Sequence, residues 1–176
     1  MGRSRAFLGV ATLVMFCRAT CLAADEGRSF TRVRGADAEM YRMIREADEL
    51  SSTFQSLVDE IQRSDAVVMV QFGLCAAGQF RSCVVHVTGD DRQRHIRILV
   101  NTRTTGDRLL ATIAHELQHA VEIVRDPQAR DAESALALFR RIAMGKCKQG
   151  LSDVCETAAA QQVEGAVLEE LYAARS

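Results

Sequence analysis

The stretch His115-Glu116-Leu117-Gln118-His119 places two imidazoles four residues apart, with a carboxylate beside the first. On an α-helix, positions i and i+4 share a face, so both rings can reach a single cation. The chemistry that suits these residue types at this spacing is zinc binding. The two histidines act as ligands, and Glu116, set to one side of them, is the candidate general base for a water at the metal. The chain holds four histidines, and half of them fall in this one pattern.

A catalytic zinc keeps three protein ligands and one open position. The third ligand must come from outside the pattern, and Glu122, Glu133 and Glu156 are the candidates. Glu122 lies on the same helix, where supporting a histidine or facing solvent suits it better than ligation. Glu133 sits on a polar side beside Arg140, the position of an ordinary surface pair. Glu156 lines up with the apolar stripe Ala159, Ala160, Val163, Val167 and Leu171. A carboxylate on a core face is costly unless it is paired or coordinates a metal, so Glu156 is the preferred third ligand.

The surrounding residues predict the helix that positions the pattern. Leu110, Ile113, Leu117, Val121 and Val124 recur at three- and four-residue steps, flanked by Ala114 and Ala120. The centre of that stripe lies nearly opposite His115 and His119, whose own face carries Arg108, Glu122 and Asp126. Asp107 is the expected N-cap and Asp126-Pro127 the stop.

Taken with the strand-like segments just upstream, the pattern and its helix resemble the zincin superfamily of metallopeptidases. The extended metzincin signature requires a glycine and a third histidine shortly afterwards, and Val121 to Asp126 contains neither. The chain is more similar to the gluzincin type, whose third ligand is a glutamate on a later helix. Glu156-Thr157-Ala158-Ala159-Ala160 looks like the E-x-x-A-D run of that helix, with Ala160 in place of the Asp that commonly supports a zinc-bound histidine.

The resemblance implies an α+β zincin-like domain that hydrolyses peptide bonds in a peptide or protein substrate. His115, His119 and Glu156 would hold Zn2+, and Glu116 would take a proton from water and pass it to the leaving amine. Tyr172, His86 and His95 are the candidate oxyanion donors. Two alternatives stand beside this reading: a non-catalytic zincin-like module that binds metal or peptide, and a disulfide-stapled domain without metal.

The rest of the chain frames these expectations. With 176 residues and 48% hydrophobic content, it is long enough for a single domain. A net charge of −1 leaves no basic excess for nucleic acid, and tryptophan is absent. Residues 1–24 read as a secretory signal peptide. Arg3 and Arg5 precede the apolar run Ala6–Phe16, and Leu22-Ala23-Ala24 offers a cleavage site. The remainder, 25–176, is then a secreted or periplasmic domain with no stable membrane insertion after cleavage. Cys17 and Cys21 fall in the leader. Cys75, Cys83, Cys147 and Cys155 remain, and exported context favours disulfides. Of three possible connectivities, Cys75–Cys83 with Cys147–Cys155 is the simplest.

Periodicity divides the domain. Residues 25–35 read as a lead-in. One long helix is predicted over Asp37–Ile61, from the stripe Met40, Ile44, Ala47, Leu50, Phe54, Leu57, Val58 and Ile61. Strands are predicted at Ala66–Phe72, Ser82–Thr88 (Cys83, Val85 and Val87 on one face) and Arg94–Val100 (Ile96, Ile98 and Val100 inward). Turn residues between them predict a three-stranded, largely antiparallel meander. If the last of these strands is an edge, it could take an extended peptide by strand addition. Two helices follow the pattern-bearing one, at about Arg130–Gly145 and Asp153–Ala174.

Overall fold

The computed structural model describes residues 29–75, 80–147 and 155–176. The expected signal segment 1–24 lies outside them, as do parts of the turn after residue 75 and of the loop after Cys147. The described chain runs β1 (Val33–Gly35), α1 (Ala38–Leu50), α2 (Ser52–Gln62), β2 (Ala66–Phe72), β3 (Ser82–Gly89), β4 (Arg94–Val100), α3 (Asp107–Arg125), α4 (Ala132–Ile142) and α5 (Ala158–Ala174). The class is α+β, as expected. Among the described residues no helix is long and apolar enough to cross a membrane.

The single helix expected over Asp37–Ile61 is two helices. Asp37 caps α1 by accepting from the Met40 N–H at 2.8 Å. Ser51 is extended (φ −134°, ψ 118°). Its N–H donates to Ala47 O at 3.0 Å, closing α1, and its Oγ accepts from Phe54 N at 3.0 Å, opening α2. The break is enforced from far along the chain. Glu170 on α5 accepts from Ser51 Oγ, from Thr53 N at 3.0 Å and from Thr53 Oγ1 at 2.7 Å. A carboxylate there complements the positive end of α2. The apolar spacing survives the break, because Met40, Ile44, Phe54, Val58 and Ile61 are all fully buried.

The sheet corrects the meander expectation. It has four strands in the order β1-β2-β4-β3. β2 pairs in parallel with both β1 and β4, and only β3–β4 is antiparallel. The strand missed by periodicity is β1, whose three residues are too few to show a period of two. β4 is therefore internal and β3 is an edge. The run Ala66-Val67-Val68 reads continuously because β2 is central and has parallel neighbours. Ile96, Ile98 and Val100 point into the core as expected. Val85 does not: a bulge between Val84 and His86 turns it outward, 36% exposed, while Cys83 and Val87 stay buried.

Helix α3 lies at the centre of the molecule. Every residue from Leu109 to Ile123 is buried. The polar face expected to look away from the core is covered too: α5 and its cap meet it through Glu164 at His115 and Thr157 at Glu122, and β3 and α4 line the cleft in front of the histidines. Its N-cap position is Gly106 rather than Asp107. The backbone there (φ 60°, ψ −146°) lies in a region that favours glycine. Asp107 sits in the first turn and accepts from Arg175 Nε at 2.8 Å. The C-terminal end, at Asp126 as expected, is held by the buried Arg94. Its guanidinium donates to Ile123 O at 2.7 Å, Val124 O at 3.0 Å and Asp126 O at 3.0 Å.

The two disulfides are Cys75–Cys83 and Cys147–Cys155, which fits a protein of an oxidising, extracellular-type compartment.

Candidate metal centre

His115 and His119 face one cleft from successive turns of α3, with ring centroids 5.0 Å apart. Both are almost fully buried, at 7% and 6% exposure. The Phe139 ring from α4 stands nearly perpendicular to that of His119, with centroids 5.2 Å apart. Glu156 reaches the same point: its Oε1 is 3.3 Å from His115 Nε2. One ligand atom from each of His115, His119 and Glu156 lies within 4.8 Å of the others, so the group could hold a metal ion.

Glu156 arrives there by a different route from the one its sequence suggests. It is not on α5, which begins at Ala158 with Thr157 as its N-cap. Its side chain is 42% exposed, at the rim of the cleft rather than on a core face. The buried-carboxylate argument therefore does not apply to it, although the residue is the one that joins the histidines. Of its rivals, Glu133 is exposed on α4 and is not brought to the site. Glu122 is buried but already engaged: Oε2 lies 2.8 Å from His119 Nδ1, and Oε1 accepts from Thr157 Oγ1 at 2.7 Å.

His115 has a matching partner. Its Nδ1 is 3.1 Å from Glu164 Oε2, and Arg81 donates to Glu164 through both terminal nitrogens, at 2.7 and 3.2 Å. Each imidazole thus has a carboxylate on Nδ1, which leaves Nε2 as its available ligand atom and makes that nitrogen a better donor. Burial works against charging His115, but its hydrogen bond to Glu164 and the nearby Glu116 and Glu156 carboxylates outweigh it and raise its pKa. The same hydrogen bond is the main reason Glu164 drops to about 2. Desolvation opposes that drop, and the Arg81 fork adds to it.

Glu164 is absent from the candidates read from sequence. The signal available was an acid one helical turn beyond Ala160, the position from which Glu164 reaches His115 Nδ1. Arg81 carried no signal, being joined to Glu164 only by the fold.

Glu116 lines the cleft and is 3% exposed, and its Oε2 is buried without a hydrogen-bond partner. An orphaned carboxylate oxygen is costly, and it marks a position completed by a water or an ion. Two imidazoles and one carboxylate, with the Glu116 carboxylate alongside, are donors that suit a divalent metal ion.

The cleft has a volume of about 150 Å³ and is walled by Phe80, Arg81, Val84 and Phe139 beside the histidines. Its β3 side is the antiparallel edge of the sheet. None of the candidate oxyanion donors lines it. His86 and His95 lie beside Arg34, Met69 and Arg97 in a separate surface hollow, and Tyr172 is 51% exposed on α5. No protein-family model, curated protein or solved structure matches the chain.

Proposed function

We propose that this chain is a zinc-dependent peptidase of the zincin type, acting on extended peptide or protein substrates outside the cytoplasm. The observation that carries the reading is the convergence of His115, His119 and Glu156, with the unpartnered oxygen of Glu116 beside them. A zinc ion held there supplies Lewis acidity and lowers the pKa of a water, as it does at three-ligand sites with an open position. Glu116 takes the proton from the attacking water and returns it to the leaving amine. Glu122 and Glu164 fix the ring orientations of His119 and His115. The free edge of β3, which borders the cleft, offers backbone groups to an extended substrate, the role expected above of the last strand.

A second reading, a module that binds metal and peptide without turnover, is favoured by one observation. Among the described residues, no tyrosine or third histidine lines the cleft to stabilise an oxyanion. The two readings part on the Glu116→Gln variant and a peptide library. The peptidase reading expects cleavage by the parent, loss of cleavage by at least 1,000-fold in the variant (on the order of a lost general base and oriented water), and unchanged zinc content. A parent that binds zinc and peptides but cleaves none establishes the binding module instead.

A further inference from the structure

We propose that the Cys147–Cys155 disulfide is the positioning element for Glu156, so that the strength of metal binding depends on this cross-link. The inference rests on the reading of His115, His119 and Glu156 as metal ligands.

The two histidines are placed by the interior of a buried helix, but Glu156 is not. It precedes the N-cap of α5, where no helical hydrogen bond fixes its backbone. Beside the short-range bond from Thr157 N to Glu156 Oε1 at 3.1 Å, three contacts hold it. Cys155, its neighbour, is bonded to Cys147. The Glu156 carbonyl accepts from Met144 N at 2.8 Å. On the other side, Thr157 caps α5 and donates to Glu122 at 2.7 Å. The first two contacts form a clamp. The segment leaving α4, turned by Gly145 at φ 97°, runs beside Cys155-Glu156 and grips one residue covalently and the next through its backbone.

Without the cross-link, the clamp reduces to one backbone hydrogen bond on a half-exposed residue. Such a bond contributes about as much as ordering a residue costs, so it cannot hold the carboxylate against chain entropy. Thr157 still keeps Glu156 near the cleft. The effect is therefore a weakened ligand rather than a lost one, comparable to removing an orienting partner of a ligand: about 10- to 100-fold in metal affinity. Cys75–Cys83 serves as a comparison: it closes a loop of the same sequence separation, 8, and borders the cleft through Arg81, but its removal leaves the hold on Glu156 intact.

The test is competitive zinc titration against a chromophoric chelator on full-length oxidised protein, in a cycle of Cys147→Ser/Cys155→Ser with Glu156→Gln. We expect the serine pair to lose about 10- to 100-fold in zinc affinity. Glu156→Gln should cost much less in that background than in the parent, since the carboxylate is already released there. Cys75→Ser/Cys83→Ser should lower the melting temperature, and its effect on zinc affinity, passed through Arg81 and Glu164, should be no smaller when Glu156→Gln is also present. If circular dichroism shows the serine pair unfolded, Cys147→Ala/Cys155→Val fills the buried Cys155 position and replaces it.

Equal zinc affinity with and without the cross-link overturns the inference, as does an undiminished effect of Glu156→Gln in its absence. A parent that binds no zinc, or one indifferent to Glu156→Gln, overturns the ligand assignment itself and the inference with it.

Discussion

Arg94→Met removes the guanidinium that ties the start of β4 to the end of the helix bearing the candidate ligands. Its side chain is 5% exposed. It donates to three terminal carbonyls of α3 and, through Nε at 2.9 Å, to Asp65. Methionine keeps an apolar stem of similar length and none of the donors. Breaking a buried charged pair by deleting one partner costs about 3–5 kcal/mol. Asp65 is 26% exposed and keeps Arg130 Nη1 at 3.4 Å, so water and a second cation relieve part of that cost. The loss should sit at the lower end, about 3 kcal/mol, or roughly 6–12 °C in melting temperature for a domain of this size.

A second signature follows from pH. Desolvation pushes the Asp65 carboxyl up, but hydrogen bonds from Arg94 and the charges of Arg94 and Arg130 outweigh it and hold it below its ordinary value. A depressed folded pKa contributes stability that is present above the unfolded value, about 3.9, and lost as pH falls through the folded one. The parent loses this contribution on acidification below about pH 4, whereas the variant never had the Arg94 share. The gap between them should therefore narrow from pH 7 to pH 3. Thermal and urea unfolding at both pH values measure it. A shift under about 2 °C at pH 7, or a gap that widens in acid, would refute the reasoning.

Two further outcomes follow from the contacts around the site. Glu164→Gln removes the charge that faces His115 Nδ1 and receives the Arg81 fork, so it should weaken zinc binding by at least about tenfold while the fold persists. Unchanged affinity by chelator competition would reduce Glu164 to a partner of Arg81. Ser51→Ala removes the group that caps α2 and binds Glu170. It should cost about 1–2 kcal/mol in urea unfolding, and a loss below about 0.5 kcal/mol would show that Thr53 alone holds the junction.

The sequence revealed what local pattern can reveal. β2 and β4 have the boundaries read from sequence, β2 from its continuous β-rich run and β4 from alternation, because Ile96, Ile98 and Val100 carry a period of two into the core. The pattern-bearing helix was legible from its own apolar spacing, although its burial on every side was not, since much of the covering comes from α5, two helices later in the chain. Strand order was hidden because β2 pairs in parallel with β1 and β4, across crossovers, and not with β3, the next strand in sequence. The break at Ser51 depends on Glu170, 119 residues away. Glu156 was found on a helical-wheel argument that does not apply to it, because it precedes the N-cap of α5. The Glu122 and Glu164 partners of the histidines show why carboxylates near such a pair deserve inspection whatever their helical face.

The most direct test of the central claim is the zinc stoichiometry of untagged, full-length protein, measured by elemental analysis after dialysis and repeated for the His119→Ala variant. The account predicts about one zinc per parent chain, removable by chelators, and little or none in the variant. A parent that carries no zinc and takes none up at neutral pH would contradict it, and so would a variant that binds as much zinc as the parent.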